Sequence, residues 1–148
     1  MNATPISARK TPWHLWLVGV LSLLWNLMGA LDFFMTQTKS AAYLKSVPAA
    51  QLEFCNSLPW WVVALWAVAT WGAALGSLLL LLRRRVAVGV FLVSLVAMVI
   101  MKIQNFGFTN LRQVMPGPGP VIFAGIIFVV SVLLWIYARQ MSRRGVLR

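Results

Sequence analysis

Four apolar runs, each long enough to cross a bilayer, leave this chain very few folds. They cover Trp13 to Met35, Trp60 to Leu82, Val86 to Phe106 and Val121 to Ala138. About 20 helical residues span roughly 30 Å of hydrocarbon. None of the runs alternates as a barrel strand does, and each is too long for one, so helices are predicted. Charge is correspondingly scarce, at 10% of residues, against about 25% in soluble domains. Lipid tails cannot solvate ions, so a lipid-facing surface demands that scarcity. The expected fold is all-α: an integral membrane four-helix up-down bundle, forming one domain over residues 1–148. Arg9 and Lys10 precede the first run as they would in a signal peptide. That run is longer than a signal core and no small-x-small site closely follows, so an uncleaved first helix is expected.

The net charge of +11 raises the question of nucleic acid. Its distribution answers no: the basic residues sit in short clusters between apolar runs, with no long polar surface to follow a phosphate backbone. The bilayer, with its anionic headgroups, is the expected partner. The N-terminal pair, the Arg83-Arg84-Arg85 turn and the tail residues Arg139, Arg143, Arg144 and Arg148 fall on one side of an even-span protein. Lys39, Lys45, Lys102 and Arg112 fall on or near the other. The positive-inside rule then puts both termini, the short basic tails 1–12 and 139–148, in the cytoplasm. Trp13, Trp16 and Trp135 near the inner boundary, and Trp60 and Trp61 near the outer one, fit interfacial anchors. Trp25, Trp66 and Trp71 lie deeper, where packing is the simpler reading.

The connections carry their own signals. Three arginines make so tight a turn that spans two and three must be antiparallel neighbours. MPGPGP, Met115 to Pro120, is read as non-helical, with prolines stiffening the approach to span four. Thr36 to Pro59 mixes apolar and polar residues and is read as one or two short helices on the outer surface, a loop being the alternative. Pro48 would stand in the first turn of one of them, with Ser46 as its cap.

Asp32 is one of only two acidic residues and ends a long apolar stretch. Counting helical rise, it lies about 28 Å beyond Trp13, and Lys102 lies about 24 Å beyond Val86. Both therefore reach a similar depth near the outer boundary. An unpaired charge at midplane costs about 2.5–3.5 kcal/mol on insertion scales, and less near the interface. A carboxylate close to a helix C-terminus also faces the negative end of the dipole. An Asp32–Lys102 ion pair is the expectation, separate snorkelling to water the alternative. Helical spacing puts Ser94, Met98 and Asn105 on the Lys102 face, and Trp25, Met28 and Gly29 on the Asp32 face. The candidate intramembrane polar cluster is thus Asp32, Lys102 and Asn105, while Asn26, off that face, is expected to bond another helix. No nucleophile-base pair, metal-ligand cluster or phosphate loop accompanies the cluster, so neither enzymatic activity nor a cofactor or metal is expected. The single cysteine, Cys55, excludes an internal disulfide, and the lone His14 excludes a two-histidine haem site within one chain. In WGAALGS, Gly72 and Gly76 are four apart and suit close helix packing, within the bundle or between subunits.

Two stretches, LLWNLMGALDFFMTQTKSAAYL (Leu23 to Leu44) and LPWWVVALWAVATWGAALGSLLLLLRRRVAVGVFLVSL (Leu58 to Leu95), carry a resemblance. They resemble small four-span bacterial inner-membrane proteins, mostly uncharacterised and sometimes labelled "sugar transporter". The resemblance implies a bacterial inner membrane and a four-helix fold. It covers roughly half the chain and leaves out span four. The expected role is a nonenzymatic membrane component acting through helix contacts, in a homo-oligomer or a larger complex. The alternative is binding or transport of a small, sugar-like solute.

Overall fold

Prolines set most of the helix starts. The structure is a computed structural model and describes residues 10–109 and 115–148; Arg9, Arg112 and the first part of the N-terminal tail lie outside them. Helices α1 (Trp13–Gln37), α3 (Ala49–Ser57) and α4 (Trp60–Leu81) each follow a proline in extended conformation, Pro12, Pro48 and Pro59. A proline has no N–H with which to continue a helix backwards, yet its carbonyl accepts the first bond forwards. Pro59 O accepts from Val62 N and Val63 N at 3.0 and 3.2 Å in this way. Between α1 and α3 lies the single turn α2 (Ala41–Leu44). α5 runs Val86–Ile103 and widens into a π-helical turn, Gln104–Phe108. α6 runs Gly119–Arg143.

Four of these helices are long and apolar enough to cross a membrane. The 36–59 connection does contain two short helices, but with different chemistry from that expected. Pro48 precedes α3 instead of standing in its first turn, and the Ser46 hydroxyl donates to Tyr43 O at 2.6 Å, at the end of α2 and not at the start of α3. The PGPGP stretch is not wholly non-helical either, since Gly119 and Pro120 open α6. Proline is tolerated there because a first-turn N–H has no intrahelical partner to lose.

Helix ends are closed by one recurrent device. At α1, α4 and α6 the residue after the cap takes left-handed backbone: Lys39 (φ 52°), Arg83 (φ 57°) and Gly145 (φ 72°). Paired reverse bonds follow at each end; Arg83 N donates to Leu80 O at 3.0 Å and Arg84 N to Leu79 O at 2.9 Å. These are Schellman motifs, which satisfy carbonyls that the last turn would otherwise orphan. The one at Arg83 reverses the chain within four residues and lays α5 antiparallel to α4.

α4 and α5 form the central seam. α1 packs on α4 and α6 on α5, so the order across the bundle is α1, α4, α5, α6. Small residues permit the seam. A Cβ built on Gly76 would stand 2.9 Å from two Phe91 ring atoms, and one on Gly72 would stand 3.2 Å from Ser94 Cβ. Both contacts are within one chain. Polar side chains stitch the helices as well: Ser94 Oγ donates to Ala69 O at 2.6 Å across the seam, and Asn26 Nδ2 donates to Ser77 Oγ at 2.9 Å between α1 and α4. Each such bond is worth about 0.6 kcal/mol in a membrane protein.

The arginine-rich end of the bundle is the tightly packed one. Leu15, Leu80, Ala87, Phe91, Leu134 and Ala138 form its core. Residues 139–148 are not simply a basic tail: α6 continues through Arg143, and Val146 and Leu147 then fold back into the core. Arg148 N donates to Arg83 O at 2.6 Å, and Arg85 N returns a bond to Arg148 O at 2.9 Å. Arg83 also donates to the Thr11 hydroxyl, so the start of α1, the α4–α5 turn and the end of α6 share one end.

Candidate functional site: a cavity between the outer helices

At the arginine-rich end α1 and α6 meet, with His14 Nδ1 and the Tyr137 hydroxyl 2.5 Å apart. Towards the other end they no longer pack on one another. A cavity of about 680 Å³ occupies the gap, floored by α4 and α5. Met28 and Leu31 on α1 and Phe123 on α6 line it and are also exposed, so it opens sideways between these two helices.

Its walls follow from helical spacing. Trp25, Met28, Gly29, Asp32 and Met35 recur at steps of three and four along α1 and so share one face. Ser94, Met98, Met101 and Lys102 do the same on α5, as do Phe123, Ile127 and Ser131 on α6. α4 contributes Trp66, Ala69, Thr70 and Ala73. Trp66 is fixed edge-on against Phe33, with ring centres 5.0 Å apart. The walls are mostly apolar, and most hydroxyls on them are already committed. Thr70 donates to Trp66 O at 2.9 Å, and Ser131 to Ile127 O at 2.8 Å.

While Asn26 lines the deeper part of the cavity, the charged groups of the lining gather at its rim. Asp32 and Lys102 both line the cavity there, beside Tyr43 from α2 and Gln51 from α3. The expected Asp32–Lys102 ion pair is not formed. α1 and α5 each pack on α4, with the cavity between them, and Tyr43 reaches Asp32 first, donating its hydroxyl to Asp32 Oδ1. Lys102 has no hydrogen-bond or ion-pair partner among the described residues. Asn105 is buried but does not line the cavity; its Oδ1 has no partner among the described residues. It falls in the π-helical turn, where the 3.6-residue spacing that aligned it with Lys102 no longer holds. Asn26 bonds α4, as its angular offset from Asp32 predicted.

Tyr43, Gln51 and the α6 wall were not foreseen from sequence. Tyr43 sits eleven residues past Asp32 across a chain reversal, a separation that carries no periodic signal. Among the described residues, no group of three His, Cys, Asp or Glu side chains could hold a metal ion.

Cys55 on α3 reports on this rim. It is half-buried, and burial pushes its thiol above the ordinary value of 9.0, with the Asp32 carboxylate pushing the same way. A raised value means less thiolate at any given pH, and thiolate is the reactive form. Maleimide labelling of Cys55 is therefore expected to be slow at neutral pH and still climbing at pH 9. Asp32→Asn removes one of the two causes and should speed labelling at fixed pH. Equal rates in the two proteins would mean that α3 does not lie over Asp32.

Fold and cavity together define a multi-pass α-helical membrane protein with a side-opening cavity. The chain matches no family model, no curated protein and no solved structure.

Proposed function

We propose that this protein is a nonenzymatic membrane component that holds a small bilayer-resident molecule in the cavity between α1 and α6. One observation carries the reading: a volume of about 680 Å³ with mostly apolar walls, a carboxylate and an ammonium at one rim, and an opening between α1 and α6. That volume lies within the roughly 300–1,000 Å³ typical of small-molecule sites. A neutral sugar fits these walls less well. It needs many free hydrogen-bonding groups, and here Thr70, Ser94 and Ser131 are bonded to backbone carbonyls.

The resemblance to small four-span bacterial inner-membrane proteins supports the same setting. With arginines gathered at the closed end, the positive-inside rule turns that end and both termini to the cytoplasm. The cavity rim then faces the outer leaflet.

A lipid carrying a diazirine midway along its acyl chain tests the reading. Leu75 and Leu92 are exposed on the bundle surface, whereas Met98 and Met101 are buried and line the cavity. Photolysis in vesicles is expected to label Met98 or Met101 as well as the two leucines. Ser131→Trp, which fills the inner end of the cavity from α6, should abolish the methionine labelling and spare Leu75. Labelling confined to the exposed leucines overturns the proposal.

A further inference from the structure

The rim presents a carboxylate and an ammonium group in one cavity without joining them. Asp32 has Oδ1 engaged by Tyr43, leaving Oδ2 as an acceptor, while the Lys102 ammonium has donors to spare. We propose that the occupant is a lipid whose headgroup joins a phosphate to a primary ammonium. This rests on the cavity reading above and specifies the chemistry of its ligand. The phosphate takes the Lys102 side, and the ammonium donates to Asp32.

Charge complementarity selects this class over its neighbours. A purely anionic head, such as phosphoglycerol, satisfies Lys102 but sets its charge beside Asp32. A choline head carries the right charges but no N–H, so it cannot hydrogen-bond a carboxylate. A neutral head leaves both side chains without a charged partner in a poorly solvated site, where charge-assisted bonds count for most. A phosphoethanolamine head meets both needs, and its net charge of zero matches the sum of Asp32 and Lys102.

The depth of the cavity takes the first part of an acyl chain below such a head. Asp32 lies seven residues past Trp25 on α1, Lys102 eight past Ser94 on α5, and Ser131 eight past Phe123 on α6. At 1.5 Å per residue, all three walls are about 10–12 Å deep. Below the charged rim they present Met28, Met98 and Ile127, and at the inner end Asn26, Ser94 and Ser131. Methionine walls adapt to a flexible chain without demanding one shape.

Three diazirine lipids with identical chains and phosphoethanolamine, phosphocholine or phosphoglycerol heads form the test. Each is presented to the full-length protein in the same vesicles. The readout is labelling at Met98 relative to Leu75, which corrects for ordinary boundary lipid. The ethanolamine probe is expected to exceed the other two by about tenfold, the worth of one charge-assisted hydrogen bond. That preference should fall to roughly parity in Asp32→Asn combined with Lys102→Met, with Leu75 labelling unchanged. Equal Met98 labelling by all three heads overturns this inference and leaves the cavity reading standing. So does a preference for phosphoglycerol. Absence of Met98 labelling by every probe overturns both. Because the wild-type preference decides the matter, a variant that fails to fold does not protect the proposal.

Discussion

Gly76→Leu is expected to cost this protein its folded, monodisperse state in mild detergent. Even a bare Cβ at position 76 would stand 2.9 Å from two Phe91 ring atoms. That is closer than non-bonded carbons tolerate, and the ring is itself 3% exposed and has nowhere to turn. Overpacking a core costs roughly 1–3 kcal/mol, and leucine adds three more carbons beyond Cβ, so the loss should reach or pass the top of that range. Thermal unfolding followed by size exclusion measures it. Gly89 provides the internal control. It lies on α5, the seam helix that carries Phe91, but nothing stands within 4 Å of a Cβ built there. Gly89→Leu should melt within a few degrees of wild type. If the two variants melt alike, the close approach of α4 to α5 is not what holds the bundle.

Leu147→Ala is the second large effect. Leu147 is fully buried against the core of the arginine-rich end, although its sequence surroundings are arginines. Truncating a buried leucine to alanine costs about 2–5 kcal/mol, depending on how far the site can collapse. Here collapse is opposed on both sides of the residue, because Val146 N is bonded to Met141 O and Arg148 N to Arg83 O. Leu133→Ala makes the comparison fair. Leu133 is 59% exposed on a membrane-crossing helix, so its truncation exchanges side-chain contact with lipid for little else. A drop in melting temperature at 147 with little change at 133 is the expected pattern. Equal drops would show that the terminal residues do not belong to the core.

How far the fold could be read from sequence depended on how local each signal was. The four spans were legible because hydrophobic length reports directly on the medium. The Arg83 turn was legible because four residues permit only an antiparallel return. Half of the cavity was legible too. Helical spacing grouped Trp25, Met28, Gly29 and Asp32, and separately Ser94, Met98 and Lys102, and these line one volume. Spacing within a helix says nothing about what lies between helices, however. Placing Asp32 and Lys102 at one depth made a pair the expectation, with separate snorkelling beside it, whereas the gap kept them apart and Tyr43 came from a short helix to bond the carboxylate. The α6 wall was invisible for a similar reason: Phe123, Ile127 and Ser131 are ordinary residues of a lipid-crossing helix until a neighbour leaves them uncovered. Val146 and Leu147 were hidden by company, two apolar residues in a run whose charge suggested a solvated tail.

Because α1 and α6 are latched to one another near His14 and Tyr137 and part company beyond it, the molecule is built like a spring peg. The α4–α5 seam resists deformation, with ring against glycine, while beyond the latch each limb is held on one side only, α1 by α4 and α6 by α5. Lateral pressure in the surrounding bilayer therefore bears directly on the jaws. Squeezing them together and emptying the space they enclose are one and the same movement.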